Sequence, residues 1–139
     1  MITNIAHNAY NVADMKKTLA FYCDQLGLRH AFSLANDKGE PWIEYVLVTK
    51  DQFIEFFYTQ PGFVNRREGS YAHLCLQVSD IHEIARRMEE QGIDVYAKPS
   101  QGLDHNWQCW ANDPDGNPIE FMQIMPDSLQ AEAMRRLGV

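Results

Sequence analysis

The stretch YAHLCLQVS at Tyr71–Ser79 repeats a pattern that the chain has already used in NIAHNAYNVA at Asn4–Ala13. Each copy has a His within a short run of strand-forming residues, a Val five residues later and an Asp two residues after the Val. His7 and His73 are 66 positions apart, and so are the two Asp residues. One pattern therefore occurs twice in a chain of 139 residues.

Each copy also ends on a Glu. Glu55 lies in QFIEFFY, 48 residues after His7, and Glu120 lies in NPIEFMQ, 47 residues after His73. Both runs are short, apolar and rich in strand-forming residues. Imidazole and carboxylate groups are ligands that divalent metal ions accept. The duplicated residues therefore suggest a metal site built from two His and two Glu.

The same four residues also allow a structural interpretation. A single His in a strand is more often hydrogen-bonded or exposed than a ligand, and a Glu on an edge strand usually faces solvent. Alternation, however, puts Glu55 on the same face as Phe53 and Phe57. If that face is covered, the buried carboxylate is costly unless a cation compensates it. The residue types alone leave both interpretations open.

Hydrophobic alternation and turn residues predict the order βαβββ in each copy. Asp14 and Asp80 are suited to N-cap the two helices, and Gly27 and Gly92 are suited to end them. The predicted strands are 4–12, 28–34, 42–49, 53–58, 71–78, 95–98, 107–111 and 119–124. The predicted organisation is an α+β protein with a first module at 1–60, a linker at 61–70, a second module at 71–125 and a C-terminal helix at 126–139.

Composition and charge restrict the possible partners. A formal charge of −7 argues against nucleic acid or an anionic membrane, because both need clustered Lys and Arg. The three Cys are widely spaced and form no CxxC, so neither a disulfide framework nor a thiolate zinc site is expected. The N-terminus has no signal-peptide pattern, and no apolar run is long enough to span a bilayer. These features predict a cytoplasmic protein that acts on a small-molecule substrate.

The elements together carry a resemblance to a known family. The chain resembles the vicinal oxygen chelate superfamily, and within it the short bacterial glyoxalase I type, over residues 4 to about 125. The residues that carry the resemblance are His7 with Val12-Ala13-Asp14, Phe21-Tyr22 with Leu26-Gly27-Leu28, Glu55, His73 with Val78, Gln91-Gly92, and DPDGNPIE at Asp113–Glu120. The last of these is the most specific motif.

The resemblance implies that the paired βαβββ modules form a cupped, mostly antiparallel sheet around one divalent metal ion (Ni, Co, Zn or Mn), in a homodimer. The ligands it implies are His7, Glu55, His73 and Glu120. It further implies a metal-dependent lyase or isomerase, similar to lactoylglutathione lyase, that transfers a proton next to a carbonyl through a metal-stabilised enediolate. Glu120 is then the first candidate for the catalytic base, and Glu55 is the second by symmetry.

The chain departs from the glutathione-using members of that family. Those enzymes have an Arg shortly after the first His and an Asn shortly after the first Glu, where this chain has Asn11 and Thr59. The missing positive charge argues against glutathione as cosubstrate, although Arg66 and Arg67 in the linker offer another source of charge. The side chains that are candidates to line a pocket, or instead to pack in the core, are Tyr45, Phe57, Trp107, Trp110 and His105.

Two other functions stay open for the same fold. One is an epimerase or isomerase that acts on a hydroxyketone or a sugar-derived acid. The other is a binding protein that sequesters a small molecule. Relatives that only bind a small molecule usually lose the metal ligands, whereas this chain has all four, and this favours the lyase or isomerase.

Overall fold

The structure is a computed structural model that describes residues 5–50, 52–65 and 71–138. The chain divides into two compact units, Met1–Glu68 and Gly69–Val139. Each unit has the order βαβββ, which confirms the predicted α+β class with one module per copy of the repeat. The described residues do not include 66–70, which are half of the predicted linker and contain Arg66 and Arg67. The predicted module boundaries therefore stay a prediction.

The first unit is a four-stranded sheet with one helix. Its elements are β1 (His7–Val12), α1 (Met15–Leu19), which continues as a π-helix (Ala20–Gln25), β2 (Arg29–Ala35), β3 (Pro41–Thr49) and β4 (Gln52–Tyr58). The strand order is β1-β4-β3-β2, in which β1 and β4 are parallel and the other pairs antiparallel. The side chain of Asp14 caps α1, as predicted, by accepting a hydrogen bond from the backbone N–H of Lys17 at 3.1 Å.

One face of this sheet forms the core of the first unit. Strand alternation puts Val46, Ile54 and Phe56 on this face, and each is at most 1% exposed. The ring of Tyr22 from the π-helix packs on Phe56 with centroids 4.7 Å apart. Because the core uses the even-numbered residues of β4, Glu55 lies on the opposite face, together with its odd-numbered neighbours.

The second unit repeats the architecture. Its elements are β5 (Leu74–Gln77), α2 (Ile81–Glu90), β6 (Ala97–Gln101), β7 (Trp107–Asn112), β8 (Pro118–Gln123) and α3 (Leu129–Leu137). The strand order is β5-β8-β7-β6, with β5 and β8 parallel. Strand boundaries differ from the prediction by more than one residue in β1, which begins at His7, in β5, which is shorter so that His73 directly precedes it, and in β6, which begins and ends later, with the buried Val95 ahead of it.

The helix α2 covers the core face of the second sheet. Asp80 caps it by accepting from the N–H groups of His82 and Glu83, both at 3.0 Å. The helix buries Ile81, Ala85 and Met88. Within residues 5–50, 52–65 and 71–138, no helix is long and apolar enough to cross a membrane.

Candidate functional site

The first His–Glu pair is formed by the two parallel strands of the first unit. In the β1–β4 register His7 lies opposite Phe53, and Ala9 lies opposite Glu55, so His7 and Glu55 are diagonal neighbours on one face. Nδ1 of His7 is 3.3 Å from Oε1 of Glu55. The Glu55 residue is only 6% exposed, whereas the His7 side chain is 47% exposed. A buried carboxylate thus meets an accessible imidazole.

The second unit forms an equivalent pair. Cys75 lies opposite Glu120 in the β5–β8 register, and His73 is two residues before Cys75. Nε2 of His73 is 3.1 Å from Oε2 of Glu120, and Glu120 is also 6% exposed. The structure therefore brings each predicted His together with the predicted Glu of its own unit.

The turn between β7 and β8 supports the position of Glu120. The carboxylate of Asp113 accepts hydrogen bonds from the backbone N–H groups of Asp115 and Asn117, at 2.9 and 2.8 Å, and from the Asn117 side-chain amide at 2.8 Å. Gly116 has φ +78°, which favours glycine. The DPDGN motif therefore closes the hairpin and fixes the strand register that places Glu120 opposite Trp110.

The two carboxylates have different neighbours on the adjacent antiparallel strand of each sheet. Tyr45 lies opposite Glu55 and is half-buried, and Trp110 lies opposite Glu120. The neighbouring Glu55 carboxylate, with a smaller effect of desolvation, raises the pKa of Tyr45. Trp110 instead packs edge-on against His73, with ring centroids 4.8 Å apart and an interplanar angle of 72°.

A thiol accompanies the second carboxylate. The Cys75 residue is exposed as a whole, but burial of the thiol, followed by the negative charge and hydrogen bonding of Glu120, raises the pKa of Cys75 to about 12. The group is therefore a protonated thiol at neutral pH beside the Glu120 carboxylate. Ala9 occupies the equivalent place beside Glu55.

The remaining sequence candidates fall on different sides of the two sheets. Phe57 shares the face of Glu55 and is half-buried. Trp107 packs on His82 of α2, with centroids 5.2 Å apart, and thus belongs to the helix side. His105 is exposed in the β6–β7 loop with φ +69°.

Two further positions are those where the glutathione-using enzymes have an Arg and an Asn. In this chain Asn11 is exposed, and the Thr59 hydroxyl donates a hydrogen bond to the carbonyl of Val12 at 2.7 Å.

The donor chemistry of the two pairs fits a divalent ion. Each pair offers one imidazole and one nearly buried carboxylate, a mixture that Ni, Co, Zn and Mn accept. Within residues 5–50, 52–65 and 71–138, no group of three or more His, Cys, Asp and Glu side chains is arranged to hold a metal ion. Each pair by itself supplies only two protein ligands.

Sequence reasoning missed another carboxylate, Glu44 on β3. It is 7% exposed, and its Oε2 atom is 2.6 Å from Nε2 of His30 and accepts from the Ser33 hydroxyl at 2.5 Å. Its Oε1 atom accepts from the Tyr58 hydroxyl at 2.9 Å. Burial alone would raise the pKa of Glu44, but the three donors outweigh it and lower this pKa. The sequence signal was a single charge within the apolar run WIEYVLV.

Comparison with known proteins assigns the family. A model of the Glyoxalase/Bleomycin resistance protein/Dioxygenase superfamily matches residues 4–121. The chain therefore belongs to this superfamily, as the resemblance in the sequence predicted. A protein of Salmonella typhimurium named lactoylglutathione lyase is 25% identical over 124 residues, which are 86% of this chain and 91% of the relative.

Solved structures share the fold at lower sequence identity. A glyoxalase family protein from Enterococcus faecalis has a TM-score of 0.73 and 22% identity, over 86% of this chain and 96% of its own. An antibiotic-binding protein from a Streptomyces species has a TM-score of 0.70 and 22% identity, over 89% of this chain and 98% of its own. At these identities the likeness concerns the fold alone.

Proposed function

We propose that the protein is a metal-dependent lyase or isomerase of the glyoxalase I type. The observation that carries this proposal is the duplicated pair: in each unit a carboxylate that is 6% exposed lies within 3.3 Å of an accessible imidazole. A purely structural role does not require the same two residue types to be retained in both copies. The relative named lactoylglutathione lyase supports the same reaction class.

The proposed ligands are His7, Glu55, His73 and Glu120. Because each unit supplies two ligands, a centre with four protein ligands needs both pairs, either from one chain or from the two chains of a homodimer. When bound, a divalent ion would polarise a carbonyl oxygen of the substrate and stabilise the negative charge that develops there. The protein contributes the geometry and the proton transfers.

In the proposed reaction, Glu120 is the base. Its carboxylate removes the proton from the hydroxyl-bearing carbon next to the substrate carbonyl and returns it to the carbonyl carbon, while the hydroxyl proton passes to the former carbonyl oxygen, so that a hydroxyketone-like arrangement is isomerised with no change in composition. The low exposure of Glu120 keeps water away from this proton. Glu55 is the second candidate by symmetry, and the substrate is a small molecule with two neighbouring oxygens.

Glutathione is not favoured as cosubstrate. Asn11 is uncharged, and the hydroxyl of Thr59 is engaged by the carbonyl of Val12, so neither offers a cation to a peptide carboxylate. We therefore expect turnover of adducts between methylglyoxal and uncharged thiols to be comparable with, or better than, turnover of the glutathione adduct. Simple ketoses in the same assay test the epimerase or isomerase alternative.

The deciding experiment is metal analysis of the purified protein and of variants. Wild type is expected to hold about one divalent ion per protomer, and His73→Ala and Glu120→Ala are expected to lower the affinity about 10-fold or more. His30→Ala is the matched control, because it removes an imidazole from another His–Glu contact, at 2.6 Å, outside the proposed centre. Equal metal content in wild type and in both site variants would contradict the proposal.

A small-molecule-binding protein is the second candidate. The specific observation in its favour is the shared fold with the antibiotic-binding protein from Streptomyces, together with half-exposed aromatic rings beside Glu55. This alternative predicts that the purified protein binds an apolar ligand equally well after thorough chelation. The enzyme proposal predicts that chelation abolishes turnover and that an added divalent ion restores it.

A further inference from the structure

The sheet face that carries Glu55 is apolar and aromatic, although the core of the first unit lies on the opposite face. We propose that the Glu55 face binds an uncharged aromatic group of the substrate, such as a phenyl ring next to the reacting carbonyl, and that Phe32 selects for this group. The inference rests on the proposed function, because it names the substrate class of the centre to which Glu55 belongs. The substrate is then an aryl hydroxyketone or a close analogue.

The strand register determines which side chains share this face. Glu55 on β4 lies opposite Ala9 on β1 and Tyr45 on β3, and Tyr45 lies opposite Phe32 on β2. Paired residues point to the same face. The rows before and after this one add the apolar side chains Leu47, Phe53, Leu34, Ile43 and Phe57. Eight of the twelve positions in these three rows are therefore apolar, whereas the face of a sheet that lies away from its core is usually polar.

The aromatic rings of this face pack on one another but stay partly open. Phe32 stacks on Tyr45 with ring centroids 4.2 Å apart and an interplanar angle of 18°, and Phe53 meets Tyr45 edge-on at 6.3 Å and 72°. Phe32 is nevertheless 45% exposed, whereas Phe56 on the core face is 0% exposed. Rings that are already ordered by stacking offer a flat apolar surface with little loss of side-chain freedom on binding. A planar ligand ring extends this stack.

The charges on this face favour an uncharged ligand group. In the middle row, which joins Phe32 to Ala9, Glu55 is the only charged residue. Arg29 is exposed at the outer edge of the neighbouring row, opposite Leu47. An anionic group seated between Phe32 and Glu55 would therefore be repelled by the carboxylate, with no cation in the same row to compensate. An uncharged ring meets no such cost.

The size of this face fits a small molecule rather than a protein. The four strands, about 4.8 Å apart, span about 14 Å, and the three rows span about 13 Å along the strands. A stable protein interface needs about 800 Å² on each partner, which is several times more than this face offers. Phe32 lies two strands from Glu55, about 10 Å away, so a phenyl ketone with its carbonyl near Glu55 reaches the Phe32–Tyr45 stack.

The test compares 2-hydroxyacetophenone with hydroxyacetone, two uncharged hydroxyketones that differ by a phenyl ring in place of a methyl group. Dissociation constants are measured by NMR titration of the isotope-labelled full chain, with an added divalent ion and again after chelation. We expect the phenyl ring to raise the affinity of wild type about 10-fold, because it adds apolar area and an aromatic contact. Phe32→Ala should reduce this gain to about 3-fold or less, and Phe32→Tyr, which keeps the ring, should retain it.

The matched control is Tyr96→Ala, which removes an aromatic side chain of the second unit that is 50% exposed and should keep the full gain. Equal affinities for the two hydroxyketones in wild type, or the same gain in Phe32→Ala as in Tyr96→Ala, would overturn the inference. The divalent ion is tested by a separate comparison, because both compounds carry the same two neighbouring oxygens. An ion that strengthens the binding of neither compound would overturn the proposed function, and the ratio between the two compounds would still decide the inference.

Discussion

Replacing Glu44 by Gln isolates the effect of a nearly buried charge that lies outside the proposed centre. The Glu44 carboxylate accepts from the hydroxyls of Ser33 and Tyr58 and contacts the imidazole of His30, and the Gln side chain has nearly the same shape without the charge. Hydrogen bonds to a charged group contribute about 1.5–3 kcal/mol each. Because Gln keeps part of these contacts, we expect a loss of about 1–3 kcal/mol in the free energy of unfolding at pH 7.

The pH dependence gives this prediction its sign. The pKa of Glu44 is lower in the folded protein than its ordinary value of 4.5, so the carboxylate is more stable as an anion in the folded state. Its contribution is fully present above the unfolded pKa and is lost as the pH falls through the folded pKa. The stability difference between wild type and Glu44→Gln should therefore be constant above about pH 5 and shrink at more acidic pH.

Urea unfolding of the chelated protein at several pH values from 7 to 3 is the assay, followed by circular dichroism. Chelation removes any stabilisation that comes from a bound ion. A Glu40→Gln variant is the control, because Glu40 is an exposed carboxylate on the same hairpin. A stabilising role for the Glu44 charge is refuted if the stability difference between wild type and Glu44→Gln is the same at pH 3 as at pH 7, or if Glu40→Gln loses as much stability.

Three further outcomes follow from other parts of the molecule. Asp113→Ala should destabilise the protein by about 1–3 kcal/mol in urea unfolding, because it leaves the amide groups of Asn117 without their acceptor, whereas the exposed Asp127→Ala should have little effect. Phe56→Ala, at a residue that is 0% exposed, should cost about 3–5 kcal/mol in the same assay, and a cost below about 1 kcal/mol would contradict the assigned core. A divalent ion at about 100 times its dissociation constant should raise the free energy of unfolding by about 2.7 kcal/mol; EDTA should abolish this gain, and His7→Ala, by weakening binding about 10-fold or more, should reduce it to about 1.4 kcal/mol or less.

The order of elements and the two His–Glu pairs were accessible from the sequence. Duplicated spacing shows which residues hold equivalent places, and strand alternation shows that Glu55 shares a face with Phe53 and Phe57. The duplicated spacing and the strand alternation can both be read directly from the order of residues, without knowledge of which strands pair. The structure therefore confirms the βαβββ order, and it joins each His to the Glu of its own unit.

The contacts between neighbouring strands were not accessible in the same way. Which residue faces Glu55 depends on the β3–β4 register, and that register shifts between Leu47 and Thr49, which no local pattern indicates. The cluster around Glu44 likewise depends on an irregularity of the β2–β3 pairing between His30 and Phe32. The sequence left Trp107 as a candidate either for a pocket or for the core, and the structure places it against His82 of α2.

The parallel pairing of the first and last strands of each unit also determines when each His can meet its Glu as the chain folds. His7 begins the first strand of its unit and Glu55 lies on the last, so their contact closes a loop of 48 residues, whereas the β2–β3 hairpin between them closes a short one. Long loops are entropically slower to close than hairpins. During synthesis, neither pair can form until its whole unit has emerged from the ribosome. A chain truncated before β4 would therefore retain His7 and a hairpin but have no carboxylate to complete the pair.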